Sequence, residues 1–195
     1  MVIAVTGDIG AGKSTAAKLL AHNLSCEYLN ADVIAKDLWH RDDVKAQAVN
    51  HFGNNILDSS GGIAIQKIAP LVFADESNNK FVNTLIHPLV MASLEDLSRS
   101  LCSSVIEIPL LFEAGRRNFI DRVIYVAAEF ALRVRRCEVQ RGWRIDELMR
   151  REKFLLPREN KIAVSDYVIH NDKSISELEK QIMKLGHKLG DKLYD

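Results

Sequence analysis

A glycine-rich segment near the amino end has the residue types and the spacing that bind phosphate groups. Residues 7–14 follow the pattern G-x-x-x-x-G-K-[ST]. Glycines let backbone N–H groups turn toward anionic oxygens with no Cβ in the way. The lysine of such a loop reaches the β- and γ-phosphates of a nucleotide, and the serine hydroxyl binds Mg²⁺. We therefore expect six residues to bind nucleotide phosphates: Gly10, Ala11, Gly12, Lys13, Ser14 and Thr15.

The elements on either side of this segment fit a phosphate-binding loop. Residues 2–6 are an apolar run typical of a buried strand, and residues 14–23 have the pattern of a helix with one apolar side. A helix that starts at the loop also presents its partial positive charge to an anion. The alternative is a glycine-rich turn with a purely structural role, and the strand and the helix argue against it.

Composition excludes several classes of protein. The chain has 195 residues, 47% hydrophobic and 27% charged, which is typical of one ordinary globular domain. Its formal net charge is zero, so we expect no non-specific binding to nucleic acid or to an anionic membrane. No apolar run approaches the ~20 residues that span a bilayer.

The cysteines and the first residues suggest a cytoplasmic protein. Cys26, Cys102 and Cys137 are odd in number and widely spaced, which fits neither a disulfide framework nor a metal site. The first apolar run is short and leads directly into the glycine-rich loop, so it does not have the pattern of a signal peptide.

Five apolar runs predict an α/β fold with a parallel sheet. They cover residues 2–6, 26–30, 105–111, 122–127 and 167–169, and helical patterns lie between them. Ligands of such sheets bind beyond the carboxyl ends of the strands. The glycine-rich loop falls at one of these ends.

Two segments are longer than simple strand connections require. Residues 35–100 contain several helical pieces, and residues 129–163 are helical and rich in arginine. In a phosphotransferase, one would hold the acceptor and the other would form a lid. We therefore expect a single domain over 1–195, with its core in 1–34, 101–128 and 164–195, an acceptor-binding insertion in 35–100 and a lid in 129–163.

The last predicted helix is amphipathic. Ser174 and Glu177 have the spacing of a capping box. Apolar residues follow at three- and four-residue intervals, which predicts packing against the sheet: Ile175, Leu178, Ile182, Leu185 and Leu189.

Three acidic residues follow predicted strands. Asp32 could accept a proton from an attacking hydroxyl, or it could cap the helix predicted over 33–38, and the two roles are compatible. Glu107 and Glu113 lie near the end of the third strand, where a carboxylate could face a metal ion. Either could instead be an ordinary solvated acid.

The arginine-rich segment favours phosphate binding, because the guanidinium fork pairs two oxygens at once. The alternative is an exposed helix with salt bridges to Glu129, Glu138, Glu147 and Glu152. One or two arginines at the cleft would suffice, and seven are available: Arg133, Arg135, Arg136, Arg141, Arg144, Arg150 and Arg151.

Several segments taken together resemble the dephospho-coenzyme A kinase family. They are residues 6–15, 31–35, 52–53, 86–88, 108–113 and 165–171, so the resemblance runs nearly from end to end. The Pro-Leu-Leu-Phe-Glu block at 109–113 is much more specific than the phosphate loop, which many families share.

The resemblance implies a P-loop kinase-like fold, a parallel five-stranded sheet flanked by helices with a helical acceptor-binding insertion and a helical lid. It implies transfer of the ATP γ-phosphate to the ribose 3′-hydroxyl of dephospho-CoA with Mg²⁺, the last step of coenzyme A biosynthesis. Asp32 matches the proposed general base, Lys13 and Arg141 would stabilise charge, and Ser14 would hold Mg²⁺. Asn171 is a candidate nucleotide contact. We expect a monomer.

The chain departs from the family pattern at several positions. Asp8 stands where the family usually has glycine, inside the phosphate loop, and its side chain could point away from the phosphates. Gln140 and Arg141 stand where Arg-Asp is common in the family, so the roles of the family's lid arginines cannot all be assigned to this sequence. Arg141 matches those arginines best, and Arg133 is second.

Two other functions are compatible with a phosphate loop. One is another small P-loop nucleoside or nucleotide kinase, which only an acceptor assay separates. The other is a nucleotide-dependent switch protein. Such proteins read guanine with Asn-Lys-x-Asp, whereas residues 160–163 lack the aspartate, and residues 58–61 imitate a switch motif without a strong strand before them.

Overall fold

The sheet of this protein is parallel throughout. The structure, a computed structural model, describes residues 1–115 and 118–190. Its strands pair in the order β2-β3-β1-β4-β5. The strands are β1 (Val2–Gly7), β2 (Glu27–Asn30), β3 (Ser104–Glu107), β4 (Arg122–Ala127) and β5 (Tyr167–His170). The predicted α/β class with five parallel strands flanked by helices is confirmed.

Two helices cover one face of this sheet. They are α1 (Lys13–Asn23) and α10 (Ile175–Gly190). Buried residues of both helices join the apolar side chains of β1 and β4 in one core: Ala16, Ala17, Leu20, Ala21, Leu178, Ile182, Leu185 and Leu189. Since β1 and β4 are buried on both faces, they are nearly continuous apolar runs rather than alternating ones, and β3 is equally buried although Ser104 and Glu107 are polar.

The predicted apolar stripe of α10 is correct except at its first position. Ile175 is 54% exposed, whereas Leu178 and Ile182 are buried. The N–H of Glu177 donates to Ser174 Oγ at 3.4 Å, which is one half of the predicted capping box.

The third predicted strand was too long. β3 ends at Glu107, not at residue 111. The N–H of Ile108 still donates to the Val5 carbonyl at 3.0 Å, but Pro109 has no N–H to continue the ladder. A short helix, α6 (Leu111–Ala114), follows at once.

The chain divides into two compact units. One comprises Met1–Asn30 together with the chain from Glu95 onward, and the other is Ala31–Leu94. The second unit contains α2 (Ala31–Leu38), α3 (Asp42–Phe52), a 3₁₀ turn at Asn54–Ile56, α4 (Ile65–Ala74) and most of α5 (Glu76–Arg99). It therefore includes most of the segment in which we expect an acceptor site.

The segment that imitates a switch motif is a tight turn in the second unit. Asp58 Oδ1 accepts the N–H groups of Ser60 and Gly62, each at 2.9 Å. The Ser60 hydroxyl, which donates to the same oxygen at 2.7 Å, and these N–H groups lower the pKa of Asp58. Leu57 and Ile63 pair across the turn, so its residues have a local structural role.

Three helices of the first unit lie in residues 129–163, the segment predicted to form a lid. They are α7 (Phe130–Arg141), α8 (Ile145–Glu152) and α9 (Arg158–Ala163). In the described parts of the chain, none of the helices has both the length and the apolar character needed to cross a membrane.

Two isoleucines of α10 allow a matched test of this core. Ile182→Ala should lower the free energy of unfolding by about 2–5 kcal/mol, because Ile182 is 2% exposed and its loss leaves a cavity. Ile175→Ala on the same helix should change it by less than about 0.5 kcal/mol. Urea denaturation measures both values, and equal losses would contradict the assigned packing of α10.

Candidate active site

The backbone of the phosphate loop is packed too closely for side chains at Gly10 and Gly12, as well as at Gly7, where a Cβ would collide with the Val126 carbonyl oxygen. A Cβ on Gly12 would lie 2.5 Å from Asn171 Nδ2, and the φ of Gly12 is +89°. A Cβ on Gly10 would lie 2.9 Å from both the Arg133 carbonyl oxygen and Cys137 Sγ. Glycine is therefore required at both positions, by space as well as by backbone conformation.

Lys13 lies across the loop that precedes it. Its ammonium donates to the Gly7 carbonyl at 3.2 Å and to the Asp8 carbonyl at 2.9 Å. The charge is thus held over the turn between β1 and α1. In P-loop proteins the corresponding lysine contacts the β- and γ-phosphates of a nucleotide, and this role of Lys13 stays a prediction.

A buried carboxylate lies beside the first turn of α1. Glu107 is 3% exposed, and its Oε1 accepts the Ser14 hydroxyl at 2.8 Å. Its Oε2 accepts Tyr28 OH at 2.6 Å and Asn30 Nδ2 at 2.9 Å. Three donors from two elements, α1 and β2, hold this carboxylate in one orientation.

The strand order explains how these groups meet. β3 lies between β1 and β2, and Glu107 pairs in register with Val5 on one side and with Asn30 on the other. The carboxyl ends of the three strands are therefore adjacent, as ligand sites of parallel sheets require.

The residues around Ser14 fit a magnesium ion. A hydroxyl and a carboxylate are hard oxygen donors, and Mg²⁺ in nucleotide sites uses only one or two protein groups besides phosphates and water. In the parts of the chain that the structure describes, no group of three or more His, Cys, Asp or Glu residues could hold a metal by itself. A magnesium ion held by Ser14 and Glu107 would therefore need the phosphates of a nucleotide as further ligands.

Asn171 supports the opposite side of the loop. Its side-chain amide is buried and donates to the Ala11 carbonyl at 2.7 Å. Arg136 donates to the carbonyl oxygens of both Asn171, at 3.0 Å, and Ala11, at 3.4 Å. Sequence reasoning did not single out Arg136, because nothing in its spacing separates it from the other arginines of the run.

The side chain of Asp8 accepts hydrogen bonds from β4 and from the residue that follows β4. Its Oδ1 accepts the Tyr125 hydroxyl at 2.6 Å, and its Oδ2 accepts the N–H of Ala128 at 3.3 Å. Arg158 Nε lies 3.4 Å and Arg133 Nε 4.0 Å from Oδ2. Burial and the Asp8 carboxylate raise the pKa of Tyr125, so the phenol stays protonated and donates.

A family model described as dephospho-CoA kinase matches residues 1–177 of the chain. The chain belongs to the dephospho-CoA kinase family. It is 35% identical over 195 residues to a dephospho-CoA kinase of Chlorobaculum tepidum, with 93% of this chain and 91% of that protein covered.

Two solved structures extend the likeness to the fold. TT1252 from Thermus thermophilus has a TM-score of 0.78 and 31% identity, with 97% of each chain covered. A dephospho-CoA kinase from Campylobacter jejuni has a TM-score of 0.71 at 22% identity, again with 97% of each chain covered. The predicted family and the P-loop kinase-like fold are confirmed, and the family's kinase chemistry implies use of ATP.

Within the family's Pro-Leu-Leu-Phe-Glu block, Glu113 is part of a buried ion pair. Its Oε1 accepts Lys161 Nζ at 3.3 Å and the N–H of Leu156 at 3.0 Å. Of the two acids predicted near the third strand, Glu107 contacts Ser14 of the phosphate loop. Glu113 instead connects α6 to Leu156 and Lys161, near the end of the lid segment.

The two lid arginines that match the family best have different surroundings. Arg133 is buried, contacts Glu152, and donates to the Ile9 carbonyl at 3.3 Å. Arg141 is exposed, and its guanidinium lies 4.8 Å from the ring centre of Trp143. A contact of Arg141 with phosphate stays a prediction.

Asp32 lies in the second unit. It is exposed and is the second residue of α2, which begins at Ala31. Asp32 is therefore inside the first helical turn rather than before it, where an acidic side chain favours the positive end of the helix dipole. Its predicted role as a base stays a prediction.

Two glycines with similar backbone angles test the packing of the loop. Gly12→Ala and Gly142→Ala both place a side chain at positive φ, +89° and +65°, at a cost of about 1–2 kcal/mol. Only Gly12→Ala also displaces Asn171, since a Cβ on Gly142 meets nothing within 4 Å. We expect a larger loss of stability for Gly12→Ala in urea denaturation, and a loss of ATP binding that Gly142→Ala does not share.

A second change checks the assigned cause. Asn171→Ala removes the amide that an alanine at position 12 would meet. If the collision with Asn171 causes the extra loss of stability, Asn171→Ala should lower the free energy of unfolding by less in the Gly12→Ala background than in the wild type. Additive losses would contradict it.

Proposed function

We propose that the protein transfers the γ-phosphate of ATP to the ribose 3′-hydroxyl of dephospho-CoA, giving CoA and ADP. The observation that carries the proposal is membership of the dephospho-CoA kinase family over residues 1–177, with a complete phosphate loop. Phosphoryl transfer requires little covalent chemistry from a protein, so positioning and electrostatics supply most of the rate.

The loop residues Gly10 to Thr15 would bind the phosphates through their backbone N–H groups. Lys13 would exchange its contacts with the Gly7 and Asp8 carbonyls for phosphate oxygens, and its charge would stabilise the group in transfer. Asn171 would stabilise the conformation of the loop through its hydrogen bond to the Ala11 carbonyl.

Ser14 and Glu107 would hold Mg²⁺ when the nucleotide is bound. The ion would neutralise charge on the β- and γ-phosphate oxygens. Tyr28 and Asn30 keep the Glu107 carboxylate turned toward Ser14, which supports this assignment.

Asp32 would accept the proton of the 3′-hydroxyl and orient that oxygen for attack. The support is its match to the family's acidic residue and its place in the first turn after β2. Residues 35–100 would bind dephospho-CoA. Residues 129–163 would close over the phosphates, with Arg141 as one phosphate contact, and closure would limit transfer to water.

Three further expectations stay predictions. They are a cytoplasmic location, a monomeric state and the absence of nucleic-acid partners. The free state of Cys26, Cys102 and Cys137 is compatible with a reducing compartment.

The acceptor assay tests the proposal directly. ADP release from ATP should be stimulated by dephospho-CoA and not by nucleoside monophosphates, shikimate or uridine. Stimulation by a nucleoside or a nucleotide alone would favour another small-molecule kinase. No stimulation by dephospho-CoA would contradict the proposal.

Asp32→Asn tests the base. It should lower kcat by about 10²- to 10⁴-fold, because the amide cannot accept the proton, with little change in ATP affinity. Asp37→Asn is the matched control, since Asp37 is also an exposed acid of α2. A near-normal kcat for Asp32→Asn in the dephospho-CoA assay would remove the general-base role.

A further inference from the structure

We propose that Arg158 binds the phosphates of the nucleotide and that Asp8 is the residue that positions it. The inference rests on the proposed use of ATP at this loop and deepens it. Arg158 begins α9, within the lid segment, and its Nε lies 3.4 Å from the Asp8 carboxylate. An arginine of the lid segment is thereby anchored to a residue of the phosphate loop itself.

Asp8 contacts two cations, Lys13 and Arg158. Its carbonyl oxygen accepts Lys13 Nζ at 2.9 Å, and its carboxylate pairs with Arg158. Lys13 therefore contacts the backbone of Asp8, and Arg158 contacts its side chain. A lysine at the loop carbonyls and an arginine at the loop's aspartate would favour a strongly anionic group, such as a triphosphate, beside the N–H groups of the loop.

The carboxylate of Asp8 is a fixed anchor. It is 6% exposed, and both of its oxygens accept hydrogen bonds, one from Tyr125 OH and one from the N–H of Ala128. The raised pKa of Tyr125 keeps that donor protonated. Because β4 holds the carboxylate in place, the cation paired with it has a defined position.

Arg158 differs from three other arginines of the segment. Arg133 is nearly buried and contacts both Glu152 and the Ile9 carbonyl, so its guanidinium is committed within the protein. Arg150 and Arg151 pair with Glu147 of their own helix. Arg158 is 37% exposed in its side chain, and a guanidinium has five N–H donors, so it can pair with Asp8 and still meet a ligand.

This assignment gives the unusual aspartate of the loop a role. A carboxylate beside a phosphate site would ordinarily repel the ligand. Here its charge is offset by Arg158 and, at a longer distance, by Arg133. The chain thus gains a lid cation near the phosphates, although it lacks an arginine at position 140, where the family commonly has one.

Arg158→Gln is the first test, with Arg150→Gln as its matched control. Both arginines are partly exposed, belong to the lid segment and pair with one carboxylate. Arg158→Gln should weaken ATP binding about tenfold or more, because a charge-assisted contact is lost. Arg150→Gln should leave ATP binding unchanged. Isothermal titration calorimetry with ATP and competition with adenosine measure this, and the affinity for adenosine should not change in either variant.

Asp8→Asn is the second test. The amide oxygen can still accept the Tyr125 hydroxyl, but the charge that holds Arg158 is gone. ATP binding should weaken several-fold, and Asp8→Asn combined with Arg158→Gln should bind no worse than Arg158→Gln alone, since the two residues act as one unit. Tyr125→Phe, which removes the hydrogen bond and keeps the charge, should leave ATP binding closer to normal than Asp8→Asn does.

The outcomes separate this inference from the proposed function. Equal ATP binding by the Arg158→Gln and Arg150→Gln variants overturns the role of Arg158, even if dephospho-CoA is phosphorylated. Tighter ATP binding in Asp8→Asn overturns the positioning role, because Asp8 would then be competing with phosphate for Arg158. A selective loss in Arg158→Gln supports the inference even if dephospho-CoA is not the acceptor. A wild-type protein that binds no ATP overturns both.

Discussion

The phosphate loop keeps its shape because neighbouring elements pack directly on the backbone of Gly10 and Gly12. Asn171, after β5, occupies the space that a Cβ on Gly12 would need, and α7 does the same at Gly10. The loop is therefore supported by the residue that follows the last strand and by the first helix of the lid segment, as well as by β1 and α1. Both supports are long-range contacts, so the geometry of the loop depends on the completed sheet.

Charge around this loop is paired rather than accumulated. Glu107 accepts three hydrogen bonds, Asp8 pairs with Arg158, and Glu113 pairs with Lys161. Removing charges from water is costly, and such pairs stabilise a protein only when their geometry is good and their remaining polar atoms are bonded. The pairs here link the loop, the third strand and the lid segment, so we interpret them mainly as devices that fix relative positions inside the first unit.

The lid segment shows why an arginine-rich sequence is difficult to interpret. Three of its eight arginines pair with acids of the same segment, as the simpler interpretation expected: Arg133 contacts Glu152, and Arg150 and Arg151 both contact Glu147. Arg136 and Arg158 instead contact the phosphate loop or the residue that supports it. These partners lie far away in sequence, and no periodicity of the helix identifies them.

The sequence by itself determined the phosphate loop, the parallel α/β fold and the family, because these depend on local patterns: glycine spacing, apolar runs and short motif blocks. It also placed Glu107 near the end of a strand. Only the tertiary structure decided which acid contacts the loop, since Glu107 and Glu113 have equivalent patterns and differ by their neighbours Ser14 and Lys161. The direction of the Asp8 side chain was likewise undetermined, because it depends on Tyr125 and Ala128, more than a hundred residues away, which reach the loop only when β4 pairs with β1.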